Sequence, residues 1–184
     1  NSQELAGLYK NILEYRLDNM RSIGLGFTDN THFRGHVAEH QWDEAIELLA
    51  RLPEDFPFID RVLLMDIQGT LQADVPSHPN RHGTKYANNP WYKGVSAKWE
   101  PFLGNVYRRA TAPRILVVPF AIPVKSETGE PIGVILLQIR MDKLITWNNV
   151  GNGRLLVIDQ SGAVVADSQG QYPDSVMSYT GSES

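Results

Sequence analysis

An internal repeat constrains this chain more than any other feature. Arg61-Val-Leu-Leu-Met-Asp66-Ile-Gln-Gly69-Thr-Leu-Gln-Ala73-Asp74 aligns without a gap on Arg154-Leu-Leu-Val-Ile-Asp159-Gln-Ser-Gly162-Ala-Val-Val-Ala166-Asp167, with Arg, Leu, Asp, Gly, Ala and Asp identical at corresponding places. A β-prone run that closes on Asp-x-x-Gly and resumes as a second apolar run reads as strand, tight turn, strand. Generic hairpin composition accounts for the apolar positions and the glycine, but not for the arginine at one end together with Ala-Asp at the other. The repeat therefore predicts two tandem modules of the same kind. Residues 1–147 surround the first hairpin with a full set of further elements, whereas 148–184 hold the second hairpin and a Ser- and Tyr-containing tail, the beginning of a second, incomplete module.

The periodicity changes along the first module. Leu5, Leu8, Ile12 and Tyr15 repeat at helical spacing, with Leu13, Leu17 and Met20 as a neighbouring stripe, so one long amphipathic helix is expected to about Gly24. Its spacing suits a homodimer seam or packing on a sheet, and so short a repeat leaves both open. Shorter helices are expected over Thr31 to His40 and from Trp42 to near Pro53. After the first hairpin comes a polar loop, Ser77 to Asn89, and then Trp91, Val95 and Trp99 at the spacing of a short helix. Two strands, Arg114 to Val124 and Ile132 to Arg140, flank the hairpin connection Ser126-Glu-Thr-Gly-Glu130. Pro119 and Pro123 predict an edge strand or bulges in the first of them, because proline cannot donate to a ladder. The fold class is α+β, with helices first and an antiparallel sheet after.

Charge and hydropathy exclude several functions. The 17 basic and 21 acidic residues give a formal net charge of −4, with no basic stripe of the kind that neutralises phosphates, so no nucleic-acid partner is expected. The apolar runs Ile115 to Val124 and Ile132 to Leu137 fall short of the roughly 18 residues a membrane-spanning helix needs. There is no cysteine, hence no disulfide scaffold and no thiolate metal site.

His36-Val-Ala-Glu39-His40 satisfies the H-x-x-E-H pattern of some zinc peptidases, and helical spacing would add His32 to the same face. Three fixed residues in five are a weak pattern, and the segment precedes the sheet without lining a cleft. A solvated helix face is the reading adopted, with no catalytic residue, no metal and no cofactor expected. No nucleophile elbow, phosphate-binding loop or calcium loop is present.

The most informative segment is Gly83-Thr-Lys-Tyr86-Ala-Asn-Asn89-Pro-Trp91-Tyr92-Lys93, followed by Leu103-Gly-Asn-Val-Tyr107-Arg-Arg109. The order of long helix, strand-Asp-x-x-Gly-strand, this aromatic segment, Val-Val-Pro-Phe-Ala-Ile-Pro-Val and Gly129-Glu-Pro-Ile-Gly133-Val-Ile-Leu-Leu-Gln138-Ile resembles the double Cache sensor family over most of the chain. The resemblance implies a PAS-like antiparallel sheet and a ligand pocket in the first module. It also implies a periplasmic or extracellular position in a membrane-anchored receptor that signals to a histidine kinase, a chemoreceptor or a cyclic-dinucleotide enzyme, histidine kinase foremost. The expected ligand-contacting residues are Tyr86, Asn89, Trp91, Tyr92, Tyr107, Arg109, Val118, Phe120 and Gln138. In amino-acid-binding members the corresponding segment looks like Arg-Pro-Trp-Tyr, with the arginine on the ligand carboxylate and acidic residues on its ammonium. This chain keeps Trp91, Tyr92 and Tyr107 but has Asn89 in place of the arginine, and Arg109 and Gln138 in place of the acids. An amide cannot neutralise a carboxylate and a guanidinium repels an ammonium, so a polar or anionic small molecule is expected instead of a zwitterionic amino acid. A dimerisation or partner-binding spacer without a small ligand is the competing expectation.

Overall fold

The computed structural model describes residues 2–109, 112, 115–140, 143, 156–158 and 164–167. Helix α1 spans Ser2–Thr28 and runs past Gly24. The reason is a close approach: a Cβ at Gly24 would come within 2.1 Å of Ile122 Cδ1, so glycine here lets the helix lie flat on the sheet instead of ending it. Asn30 caps α2 (Thr31–Ala38), its side chain accepting from Phe33 N–H at 3.0 Å. The short helices α3 (Trp42–Glu47) and α4 (Leu52–Asp55) follow as separate pieces where one was expected, with Pro53 in the first turn of α4, where its missing N–H does no harm.

The sheet is antiparallel throughout. Strands β1 (Ile59–Met65), β2 (Leu71–Val75), β3 (Phe102–Leu103), β4 (Tyr107–Arg108), β5 (Leu116–Lys125) and β6 (Pro131–Ile139) lie in the order β2-β1-β6-β5-β3, with β4 also on β5. Helix α5 (Pro90–Lys98) lies between β2 and β3 in sequence. Alternation along the strands sorts side chains onto two faces. Val62, Leu64, Val118, Phe120, Ile122, Ile135 and Leu137 join Met20, Phe33, Val37 and Leu49 in one core beneath the N-terminal helices. Leu63, Met65, Ala121, Val134 and Leu136 join Trp91, Tyr92 and Val95 of α5 in a second. Each large apolar side chain so buried stabilises the fold by roughly 1.5–3 kcal/mol.

The proline-rich strand is not at the edge. β5 pairs with β6 from Val118 to Lys125, with the expected irregularity appearing as a register shift between Val124 and Lys125, and carries β3 and β4, two residues each, on its other side. Pro119 O accepts from Gly104 N–H at 2.9 Å, so the proline's own amide position faces β3 and β4, and alternation puts Pro123 in the same sense. Every donor that β5 needs for β6 therefore comes from a residue other than proline.

The second hairpin forms as well. β7 (Leu156–Ile158) and β8 (Val164–Asp167) pair antiparallel: Leu156 with Asp167, Val157 with Ala166, Ile158 with Val164. The counterparts in the first hairpin pair identically, Leu63 with Asp74, Leu64 with Ala73, Met65 with Leu71, and the register shifts at the same place in both. The expected boundary at Trp147 lies outside the described residues, as do 148–155 and the tail 168–184.

Candidate functional site

The site is built on the α5 face of the sheet. Pro90 occupies the first turn of α5 after Asn89, which has extended geometry (φ −71°, ψ 141°) and makes no side-chain capping bond. The helix buries Trp91, Tyr92 and Val95. Tyr92 is fixed by its hydroxyl, which donates to Ile67 O in the β1–β2 turn. Its ring also lies close to Gly69, where a Cβ would come within 2.9 Å of Tyr92 Cε2; Gly69 has φ +76°, so turn geometry and the ring both require glycine. Burial, and then the neighbouring Asp66 carboxylate, push the Tyr92 phenol up. Tyr86 and Trp91 have ring centroids 5.7 Å apart, and Trp91 and Tyr92 meet edge-on at 6.1 Å.

Beside these rings the sheet carries a polar row. Asp74 on β2 pairs with Arg61 on β1, and both are buried. Arg61 stands opposite Gln138 on β6, and Gln138 Nε2 donates to the Tyr107 hydroxyl on β4 at 2.6 Å. Burial pushes the Tyr107 phenol up, the Gln138 contact opposing it. Asp74 also accepts from His78 N–H at 2.8 Å and contacts His82 Nε2 at 2.9 Å, tying the loop after β2 to the row. Burial alone would raise the Asp74 pKa, but these contacts and Arg61 outweigh it and hold the carboxyl below its ordinary range.

Besides Nε of Arg61, whose guanidinium meets Asp74 through another nitrogen, two uncharged polar atoms in this region are buried with no hydrogen-bond partner among the described residues: the indole nitrogen of Trp91 and Oε1 of Gln138. One is a donor and the other an acceptor, and each orphaned group costs about 1–3 kcal/mol of desolvation unless something supplies a partner.

The residues expected from sequence divide by face. Tyr86, Trp91, Tyr92 and Tyr107 share the α5-face cluster, with Gln138 bonded to Tyr107. Asn89 stands at the start of α5. Val118 and Phe120 lie in the core beneath α1, on the opposite face of the sheet from Trp91, because they alternate with the residues that face α5. Arg109 is buried and ion-paired with Asp60, the extra residue of the β1 bulge between Ile59 and Arg61. Burial and then Arg140 lower its pKa. Its charge is thus met from within the chain, by Asp60. Arg61, Asp74 and His82 were not among the expected site residues. The repeated Arg and Asp were the available signal, since charges at fixed places in an apolar hairpin need partners.

The histidine pattern does not persist as a helical face. Glu39 caps α2 and His40 turns into the left-handed region (φ 58°), with Gln41 N–H donating to His36 O and His40 N–H to Val37 O. His40 then stacks on Trp42, centroids 5.3 Å apart, while His36 Nδ1 lies 2.7 Å from Gln41 Oε1. Among the described residues no group of three His, Cys, Asp or Glu is placed to hold a metal ion, and no helix is long and apolar enough to cross a membrane.

No family model matches the chain, and no curated protein matches it. Solved structures do. A domain of a sensory box/GGDEF family protein from Vibrio parahaemolyticus superposes with TM-score 0.69 at 11% identity, covering 90% of this chain and 69% of that one. The sensor domain of the Vibrio cholerae histidine kinase DctB gives 0.60 at 16%, covering 91% and 68%. The ligand-binding domain of the Pseudomonas aeruginosa PAO1 amino acid chemoreceptor PctB, in complex with L-Gln, gives 0.65 at 19%, covering 94% and 67%. Extracellular receptor domains are also among the matches, and of one of them the chain spans 31%. These neighbours are sensor and ligand-binding domains, not catalytic ones. With its long N-terminal helix and its β2-β1-β6-β5-β3 sheet, the chain has the Cache/PAS-like fold of the sensor domains of histidine kinases and chemoreceptors.

Proposed function

We propose that the chain is the extracytoplasmic ligand-sensing part of a membrane-anchored signalling receptor, and that its ligand is a small, uncharged polar molecule held on the α5 face against Trp91, Tyr92, Tyr107 and Gln138. The observation that carries this is the pair of orphaned buried atoms, an indole N–H and an amide oxygen, beside three tyrosines. A ligand presenting one acceptor and one donor satisfies both. The charges nearby are already matched, Arg61 by Asp74 and Arg109 by Asp60. That internal matching supports a neutral ligand over an anion and over a zwitterion, whose charged ends would enter a desolvated site without a free counter-charge. The fold supports the receptor context, with a histidine kinase as the proposed output. The second hairpin, paired like the first, supports a second module beginning after Trp147.

Calorimetry with matched panels of neutral amides, organic acids and amino acids tests the reading. Binding of a neutral compound, lost in Trp91→Ala and in Gln138→Leu, is the expected result. Tight binding of an amino acid or an organic acid at the same residues would overturn the neutral-ligand assignment. The spacer reading has one observation in its favour: Leu8 and Tyr15, two helical turns apart on α1, are 55% and 68% exposed. Sedimentation of the chain and of Leu8→Asp with Tyr15→Asp decides whether α1 forms a seam between copies.

A further inference from the structure

We propose that a second binding site, for a small zwitterion, lies in the cleft between the C-terminal end of α1, the start of α2 and Trp99. The cleft has a volume of about 160 Å³ and is lined by Arg34, Lys125, Asp29, Glu100 and Trp99, with Leu25 and Pro123 as apolar wall. It draws on none of the residues of the α5-face site.

Four observations bear on it. Arg34 Nε is buried without a hydrogen-bond partner, an orphaned donor on a charged group. Neither Arg34 and Lys125 nor Asp29 and Glu100 form an ion pair among the described residues, so two cations and two anions line one small cleft without neutralising one another. The last turn of α1 contains no basic residue, so the 27-residue helix carries no cation of its own at the negative end that borders this cleft. Finally, Trp99 closes α5 in the left-handed conformation (φ 52°, ψ 49°), where glycine is the residue of least strain. A bulky side chain held there presents its ring to the cleft at a conformational cost that a plain helix end does not need.

A lone anion would meet Asp29 and Glu100, and a lone cation would meet Arg34 and Lys125. A molecule carrying both charges satisfies all four: its carboxylate toward Arg34 and Lys125, its ammonium toward Asp29, Glu100, the α1 carbonyl end and the Trp99 ring. A cleft of this size takes a small ligand, such as a short amino acid. So few contacts correspond to millimolar affinity.

Titration of the ¹⁵N-labelled chain with glycine, acetate and methylammonium, each to about 50 mM, tests the site by NMR. Glycine is expected to move the Trp99 indole and Arg34 Nε–H signals saturably, and acetate or methylammonium to bind about tenfold more weakly or less. Arg34→Gln and Glu100→Gln should each weaken glycine binding about fivefold or more, while Trp91→Phe leaves it unchanged. The spectra themselves report whether each variant is folded. Equal binding of acetate and glycine, tightened by Glu100→Gln, would make this an anion site and overturn the proposal. So would shifts confined to Trp91 and Gln138, which place glycine at the α5-face site alone, or the absence of any saturable shift.

Discussion

Arg61 on β1 and Asp74 on β2 form an ion pair sealed from solvent on the α5 face of the sheet, and the same carboxylate holds the loop after β2 through His78 and His82. Removing one partner strands the other charge. Asp74→Ala is expected to destabilise the fold by about 3–5 kcal/mol, whereas Arg61→Met with Asp74→Leu recovers most of the loss. Urea denaturation of the three variants measures it.

The same carboxylate gives the acid dependence its sign. Its folded pKa lies below 3.8, the ordinary value for an aspartate, so the folded state binds the proton more weakly than the unfolded chain does. The stabilisation is present above that value and is lost as pH falls through the folded pKa. Denaturation curves between about pH 2 and pH 6 should show a steep acid loss that flattens in Asp74→Asn.

Tyr107 and Gln138 form the second coupled pair. Tyr107→Phe deprives Gln138 Nε2 of its acceptor in a side chain whose Oε1 is already orphaned, and is expected to cost about 1–3 kcal/mol. Tyr107→Phe with Gln138→Leu removes both polar ends and should cost less than either change alone. The Tyr107 phenol is raised above 10.0, so its contribution is intact below that pH and lost as pH rises through the folded value. An ultraviolet titration should show a late-ionising tyrosine that disappears in Tyr107→Phe.

Asp60 is the carboxylate that meets Arg109. Asp60→Asn removes its carboxylate partner, and stability should fall by about 1.5–3 kcal/mol, the worth of a charge-assisted contact. Affinity for organic acids should rise relative to that for neutral amides, and calorimetry on the two ligand classes reads the ratio.

His40 ends α2 in a conformation that favours glycine. His40→Gly relieves about 1–2 kcal/mol of left-handed strain and gives up a ring stack on Trp42 worth about 0.5–1.5 kcal/mol. The expected net change in melting temperature is therefore upward but small, about 2 °C or less, while His40→Ala, which keeps the strain and loses the stack, should melt lower.

Much of this architecture was legible in the sequence. The switch from helical to alternating periodicity gave the helices and the sheet, and the repeat predicted two hairpins that do pair in the same register. Gly24 misled because a glycine that ends a helix and one that lets a helix touch a sheet look alike until Ile122 is seen against it. His40 misled for a related reason: four-residue spacing implies one face only while the helix lasts. At the site the aromatic residues were readable, since rings on one side of a short helix pack together. The charges were not, because whether Arg109 is free depends on Asp60, a bulge residue distant in sequence, and no spacing rule connects them. Val118 and Phe120 show the limit of alternation, which says that they share a face but not which face.

The placement of Pro119 and Pro123 bears on how this protein meets other copies of itself while unfolded or partly folded. Both withhold a donor on the side of β5 covered only by the two-residue strands β3 and β4, the side that would lie open if those short pieces peeled away. An exposed strand edge ordinarily templates a foreign strand, and aggregation begins there. Here the edge that opens most easily lacks two of the hydrogens a newcomer would need, so local fraying at β3 and β4 does not create an adhesive surface.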